Sequence, residues 1–269
     1  MNKREEDKIM GSTPMQVQNI IPDQSIALFV KNIMVFENKD DVETVIPFFA
    51  DGYPGLMFHQ TERGLTIQPY GKKMPIIFLY GQTIKPITIE VDGPFKIVIF
   101  QFYPFVLRAF WELNPEDIND GCYDLNEKKE IDELIKEILS SFTVQEKITV
   151  ISRLLIGYFE QKRNKLDFSI RGVIQCIIDK KGAVPIHEIA KNKNLHIRTL
   201  ERRFLRETGI SAKQFAKIVQ FQNSLTQLTT HDSGSINEIV YANGFSDQSH
   251  FIRVFKAFTG LTPNTFGKR

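Results

Sequence analysis

Two periodicities divide this chain. Between Ser25 and Phe110 the apolar positions come in short β-rich runs, Ile26–Phe36, Gly55–His59, Ile76–Tyr80, Ile84–Glu90 and Phe95–Tyr103. Turn residues punctuate them at Asp51-Gly52, Tyr70-Gly71, Gly81 and Asp92-Gly93-Pro94, a spacing that predicts a β-barrel or sandwich. The period then lengthens. Glu127–Ser141 places Ile131, Leu134, Ile135, Ile138 and Leu139 on one helical stripe, and Thr143–Gln161 does the same with Ile148, Ile151, Leu154, Leu155, Tyr158 and Phe159. The polar stretch Gln161-Lys162-Arg163-Asn164-Lys165 reads as a linker. These patterns predict a disordered leader over 1–14, a β-rich domain with two helices over 15–166, and a helical domain over 167–269.

Within the last domain the pattern predicts helices at about 168–180, 185–192, 197–207, 212–229, 236–242 and 247–258, with a short one after Pro263. Ser211 with Gln214, and Ser235 with Glu238, have capping-box spacing. The domain also contains a repeat. Ile189, Ala190, Asn194 and Leu195 match Ile239, Val240, Gly244 and Phe245 fifty residues on. Leu200, Phe204, Gly209, Ile210 and Phe215 match Phe251, Phe255, Gly260, Leu261 and Phe266 at an offset of fifty-one. Each copy reads as helix, turn, helix. The turn needs a left-handed residue, which suits Gly244 and Asn194. This is the helix-turn-helix pattern, whose second helix lies in the major groove of DNA.

Charge supports that reading. The net +2 of the 269 residues hides an asymmetry: 15 basic against 8 acidic residues from Asp167 onward, a net +7, and 19 against 24 before it, a net −5. A basic domain behind an acidic one points to a polyanion partner. Two cysteines, Cys122 and Cys176, are too few for a disulfide framework or a Cys-rich zinc site, and five scattered histidines have no metal-site spacing. No cofactor or metal is expected. The acidic surroundings of Cys122 do not favour a thiolate, and no phosphate-cradling glycine loop or nucleophile elbow is present, so an enzyme is not expected. The charged start and the lack of a long apolar run predict a soluble cytoplasmic protein without membrane association.

Side-chain chemistry names the candidate contacts. On the first recognition helix Arg198, Glu201 and Arg202 share the face opposite Leu200 and Phe204; on the second, Gln248, Ser249 and Arg253 face outward. Arg reads guanine, Gln adenine, and Glu accepts from cytosine. His250 either contacts DNA or covers the helix start. Arg203, Arg206, Lys256 and Arg269 suit phosphates, which supply salt-sensitive affinity without sequence information. In the β-rich half, Tyr53, Phe58 and Phe102 are candidates for an apolar effector pocket and equally for its core.

The string from Ile236-Asn237-Glu238-Ile239 through Gly244-Phe245-Ser246-Asp247-Gln248-Ser249-His250-Phe251, Arg253-Val254-Phe255-Lys256, Gly260, Thr262-Pro263 and Phe266 resembles the DNA-binding domain of the AraC/XylS family of bacterial transcription regulators. The resemblance covers about 100 residues, from Ile170 to Arg269. It implies two helix-turn-helix units joined by a long helix, here about Ala212 to Leu228, reading successive major grooves on one face of the duplex. Val240, Asn194, Gln220, Ser224 and His196 depart from the usual residues, and His196 is a poorer N-cap than Ser. Pro47 to Phe58 and Gly81-Gln82 through Phe105 resemble the β-rich sensor domain of some members. The expected fold is therefore α+β: an N-terminal β-barrel (cupin-like) domain with a helical extension, and a C-terminal all-α domain with two helix-turn-helix units. The implied function is sequence-specific regulation of transcription, more often activation, with promoter DNA and RNA polymerase as partners. The N-terminal domain would bind a small-molecule effector, form a homodimer, or do both. The alternatives are a ligand-independent regulator controlled by a protein partner or by abundance, and an enzyme or DNA-repair protein fused to this domain.

Overall fold

The computed structural model describes residues 15–125, 129–230 and 236–267, so the leader, Ser235 and Arg269 lie outside the described residues. Among the described residues the N-terminal half contains ten strands: β1 Gln16–Ile20, β2 Val30–Asn38, β3 Glu43–Phe48, β4 Gly55–Thr61, β5 Leu65–Gln68, β6 Lys72–Lys73, β7 Ile77–Tyr80, β8 Ile87–Asp92, β9 Phe95–Phe102 and β10 Cys122–Asp124. They form a six-stranded sheet in the order β1-β2-β9-β4-β7-β10 and a four-stranded sheet in the order β3-β8-β5-β6. The two sheets pack across a shared apolar layer and do not close into one continuous barrel.

The central strands of the larger sheet are buried on both faces, which is why their sequence is nearly unbroken in apolar residues. In β9, Phe95, Ile97 and Ile99 pack toward the smaller sheet, whereas Val98, Phe100 and Phe102 belong to the core on the other side. β4 and β7 divide the same way: Met57 and Phe78 face the smaller sheet, and Leu56, Phe58, Ile77 and Leu79 face away. This is the period-2 alternation of a strand, with both sides dry.

Helices cover that other side. α1 (Val106–Trp111), a 3-10 turn at Pro115–Ile118, α2 (Lys129–Ser140) and α3 (Val144–Lys162) follow the sheet. α3 opens on a complete capping box, Thr143 with Glu146. The buried Lys147 ammonium donates to the carbonyls of Ile138 (2.6 Å) and Ser141 (2.8 Å), closing the end of α2. Phe29, Phe102, Phe110, Trp111, Tyr158 and Phe159 form a chain of ring contacts joining the sheet to α1 and α3.

The remainder is helical: α4 Phe168–Asp179, α5 Ile186–Asn192, α6 Ile197–Thr208, α7 Ala212–Thr229, α8 Ile236–Ala242, α9 Gln248–Thr259 and α10 Pro263–Phe266. Its apolar core is continuous with the helical side of the β-rich half. No helix among the described residues is long and apolar enough to cross a membrane.

Candidate nucleic-acid interface

The repeat in the sequence is a repeat in hydrogen bonding. α5–α6 and α8–α9 are two helix-turn-helix units, and each turn carries its left-handed residue, Asn194 at φ 52° and Gly244 at φ 71°. Both second helices end alike. Thr208 donates its hydroxyl to the carbonyls of Phe204 (2.8 Å) and Ile210 (2.9 Å), and Thr259, fifty-one residues on, donates to Phe255 (2.8 Å) and Leu261 (3.0 Å). A left-handed glycine follows each, Gly209 at φ 78° and Gly260 at φ 76°. Ser211 and Thr262 then cap the next helices by accepting from the backbone of Gln214 and Thr265.

Leu200 and Phe204 in α6, and Phe251 and Phe255 in α9, are fully buried and anchor the helices. Phe204 packs on Phe215 of α7; Phe255 meets Phe221 of α7 and Phe266 of α10. α7 is thus the shared spine. Two departures from the family pattern acquire roles here. Gln220 of α7 donates to the carbonyl of Gly244 (3.4 Å), tying the spine to the second turn, and the Ser224 hydroxyl is fully buried against the carbonyl of Phe221 (2.7 Å). His196 caps α6 through its ring, Nδ1 accepting from the Arg198 backbone at 3.3 Å.

With the anchors inside, Arg198, Glu201 and Arg202 of α6 and Gln248, Ser249 and Arg253 of α9 are exposed, and none of their side chains has a partner among the described residues. The offset of fifty-one residues superposes Arg202 on Arg253, so the two units present an arginine at the same helical position. His250 is half-buried: its Nδ1 lies 3.2 Å from the Ser246 hydroxyl and its ring stands edge-on to Phe245. Asp247 caps α9 by accepting the His250 N–H at 2.7 Å. That bond, helped by the Ser246 hydroxyl, holds its carboxyl below the usual range.

The arginines assigned to phosphates are placed differently. Arg203 is bound to the Asp167 carboxylate, with Nη2 at 2.7 Å from both oxygens, so it fastens α6 to the start of α4 instead of reaching solvent freely. Arg206 pairs with the buried Glu207 at 2.7 Å, and Arg108 of α1 approaches the same carboxylate at 3.8 Å. In the second unit the equivalent positions are Ala257 and Phe258, so this charged cluster is particular to the first. Lys256 is exposed. Sequence reasoning passed over Lys213 and Lys217, although a spacing of four residues at the start of α7 puts them on one face. They line an open groove of about 670 Å3 together with His250 and Arg253.

The first unit is also held by the β-rich half. Asn119 donates to the carbonyl of Gly209 (2.6 Å), Gln222 of α7 donates to that of Ala50 (2.5 Å), and Gly52 lies against the Phe215 ring. Gly209 abuts Pro115 so closely that a Cβ would sit 2.7 Å from its carbonyl carbon.

The candidate effector aromatics separate. Tyr53 is half-buried at a groove between the halves, shared with Asp51, Gln101 and Gln222. Phe58 and Phe102 are fully buried on the helical side of the sheet, Phe58 under the Lys147 ammonium and Phe102 stacked on Trp111, and they line neither the groove between the halves nor the cavity between the sheets. A partly open apolar cavity of about 350 Å3 lies on the opposite face of β4, between the two sheets, and is lined by Met57, Ile67, Phe78, Tyr80 and Ile89 with Tyr70 and Lys72 at its exposed rim. On β4 it is Met57 that borders this cavity, while its neighbour Phe58 lies in the core on the other face. Cys122 also borders the cavity; burial pushes its thiol up to about 11.

Residues 189–269 match a family described as a helix-turn-helix domain, and residues 18–124 match one described as a domain of unknown function (DUF6597). The chain is 32% identical over 97 residues to the HTH-type transcriptional regulator RipA of Corynebacterium glutamicum, which covers 36% of this chain and 29% of RipA. It is 29% identical over 75 residues to the HTH-type transcriptional activator RhaS of Escherichia coli, covering 28% of this chain and 27% of RhaS. The match thus spans less than a third of either relative. Among solved structures, ToxT from Vibrio cholerae aligns over 94% of this chain and 98% of its own at 14% identity and a TM-score of 0.47. The C-terminal region thus carries a helix-turn-helix domain, and its named relatives are HTH-type regulators of transcription.

Proposed function

We propose that this chain is a sequence-specific, double-stranded DNA-binding regulator of transcription whose two units read successive major grooves. The observation that carries the reading is the pair of recognition helices, α6 and α9, built by the same anchors and caps and each presenting an unpartnered polar face. Two units in one chain let a single copy span two grooves, so operator binding does not require a homodimer. Likeness to RhaS favours activation, with RNA polymerase as the second partner. The protein acts in the bacterial cytoplasm, beside the genome.

A small molecule controls it from the cavity between the sheets. A volume of about 350 Å3 with an apolar lining and a polar rim suits a compact, largely apolar ligand. Gly81, Asp120 and Gly121 border that cavity, and the next residue, Asn119, holds Gly209 at the end of α6. A ligand that moves this segment would change how the first unit is presented, which requires two states of different DNA affinity. The cavity favours this reading over control by a protein partner alone.

Selection of bound duplexes from random DNA by the full-length protein tests the DNA reading. A defined motif with two half-sites about one helical turn apart, and affinity that falls steeply with salt, is expected. Recovery of no motif would overturn it. A thermal-shift screen with compact apolar compounds tests effector control, and Met57→Trp, which fills the cavity, should abolish any shift.

A further inference from the structure

The groove between α7 and α9 has a wall that is not part of the DNA-binding domain. Beside Lys213, Lys217, His250 and Arg253 it is lined by Ile84 and Lys85, from the loop joining β7 to β8, and no carboxylate side chain lines it. That loop is fixed in place. Asp120 accepts the backbone N–H of Ile84 (2.6 Å) and of Lys85 (2.9 Å), while Gly81 donates to the carbonyl of Gly121 (3.1 Å). Gly81 approaches Ile118 so closely that any Cβ would collide with its carbonyl. The Lys85 side chain is exposed and has no acidic partner among the described residues.

The groove opens on the side that α9 presents to bases, because Arg253 and His250 belong to both. The first unit is short of phosphate-binding charge on this side, since Arg203 is committed to Asp167 and Arg206 to Glu207. Under the DNA-binding reading, the phosphate backbone between the two grooves needs cations without internal partners, and Lys213 and Lys217 at the start of α7 share a groove with Arg253.

We propose that the N-terminal domain forms part of the DNA interface, with Lys85 joining Lys213 and Lys217 in a basic saddle that binds the phosphate backbone between the two grooves. The proposal rests on the DNA-binding reading above. It makes the full chain a tighter, more salt-sensitive binder than its helix-turn-helix domain alone, and it places a DNA contact on the segment that borders the cavity.

The test uses the full-length protein and two duplexes, the one selected from random DNA and one of unrelated sequence, titrated across a range of KCl. Lys85→Ala should weaken both by the same several-fold factor and lower the slope of log affinity against log salt by about 0.9, the loss of one phosphate contact. Lys85→Glu should weaken both further, and Lys39→Ala, an exposed lysine on the β2–β3 turn outside the groove, should change nothing. An unchanged slope in Lys85→Ala would overturn the proposal. So would tighter binding, which would make the loop an obstruction to DNA. Loss of operator preference in Arg253→Ala with Lys85→Ala unaltered sinks the saddle and leaves the DNA reading standing. Absence of duplex binding by the unmodified protein sinks both.

Discussion

Arg202 and Arg253 occupy the same position in two successive helices, and both guanidinium groups point away from the fold without an internal partner. In the proposed mode of binding each reads one base pair, in grooves about one turn apart. Alanine at either position should cost about 1–3 kcal/mol of specific affinity and relax preference at a single base pair, measured on a panel of base-substituted duplexes. A uniform loss across all sequences would make the residue a phosphate contact instead. Asp51 carries a different consequence. Its carboxylate accepts from the Tyr53 backbone (2.9 Å) and from Gln101 (2.5 Å), yet burial raises it from 3.8 to about 7. Between those values the native chain holds a proton that the unfolded chain has released, so stability falls as pH rises through that window. Asp51→Asn removes this penalty. The variant's Tm should exceed that of the unmodified protein by a margin that grows from pH 5 to pH 8.

At the scale of elements, the two turns differ in one respect that mutation can isolate. Asn194 holds φ 52° where Gly244 holds 71°. Asn194→Ala should destabilise the first unit by about 1–2 kcal/mol, the cost of a left-handed Cβ, while Asn194→Gly should be close to neutral; chemical denaturation separates the two. The helices of this domain were legible because each buries one stripe, and the 3.6-residue period survives in Leu200, Phe204, Phe251 and Phe255. β4 and β9 were legible as apolar runs because both their faces are dry. β1 was not: all but the last of its residues are exposed, so Gln16–Ile20 has no alternation to read. The two-residue β6 is too short to carry a pattern. The roles of Arg203 and Arg206 were hidden for a related reason. The partnership of Arg203 with Asp167, and the approach of Arg108 to the Glu207 that Arg206 holds, join residues distant in sequence, and helical spacing describes only near neighbours. Of the two readings open for Phe58, pocket wall or core, aromatic character alone could not choose, because it says nothing about which face of a doubly buried strand borders a cavity.

For the whole molecule, the contact that matters is the one between the β-rich half and the end of α6. Gly209 and Gly260 provide a matched comparison, having nearly the same φ, but a Cβ on Gly209 would strike Pro115 whereas one on Gly260 meets nothing within 4 Å. Alanine at either should incur the left-handed cost of about 1–2 kcal/mol. Only Gly209→Ala should also loosen the two halves, seen as faster proteolytic cleavage between them and a weakened response of DNA binding to any effector. Equal behaviour of the two variants would mean that Pro115 yields without consequence.

The larger sheet has an implication for how such a protein can change. Because alternate residues of β4 and β7 belong to different compartments, Met57 and Phe78 can vary in size at the cavity while Phe58 and Leu79, one position away, keep the helical core intact. The chemical preference of the cavity and the grip on the DNA-reading domain are thus encoded in interleaved but separate sets of positions. Under the proposed control by a small molecule, a lineage could change which ligand it accepts without rebuilding the core that meets the DNA-reading domain.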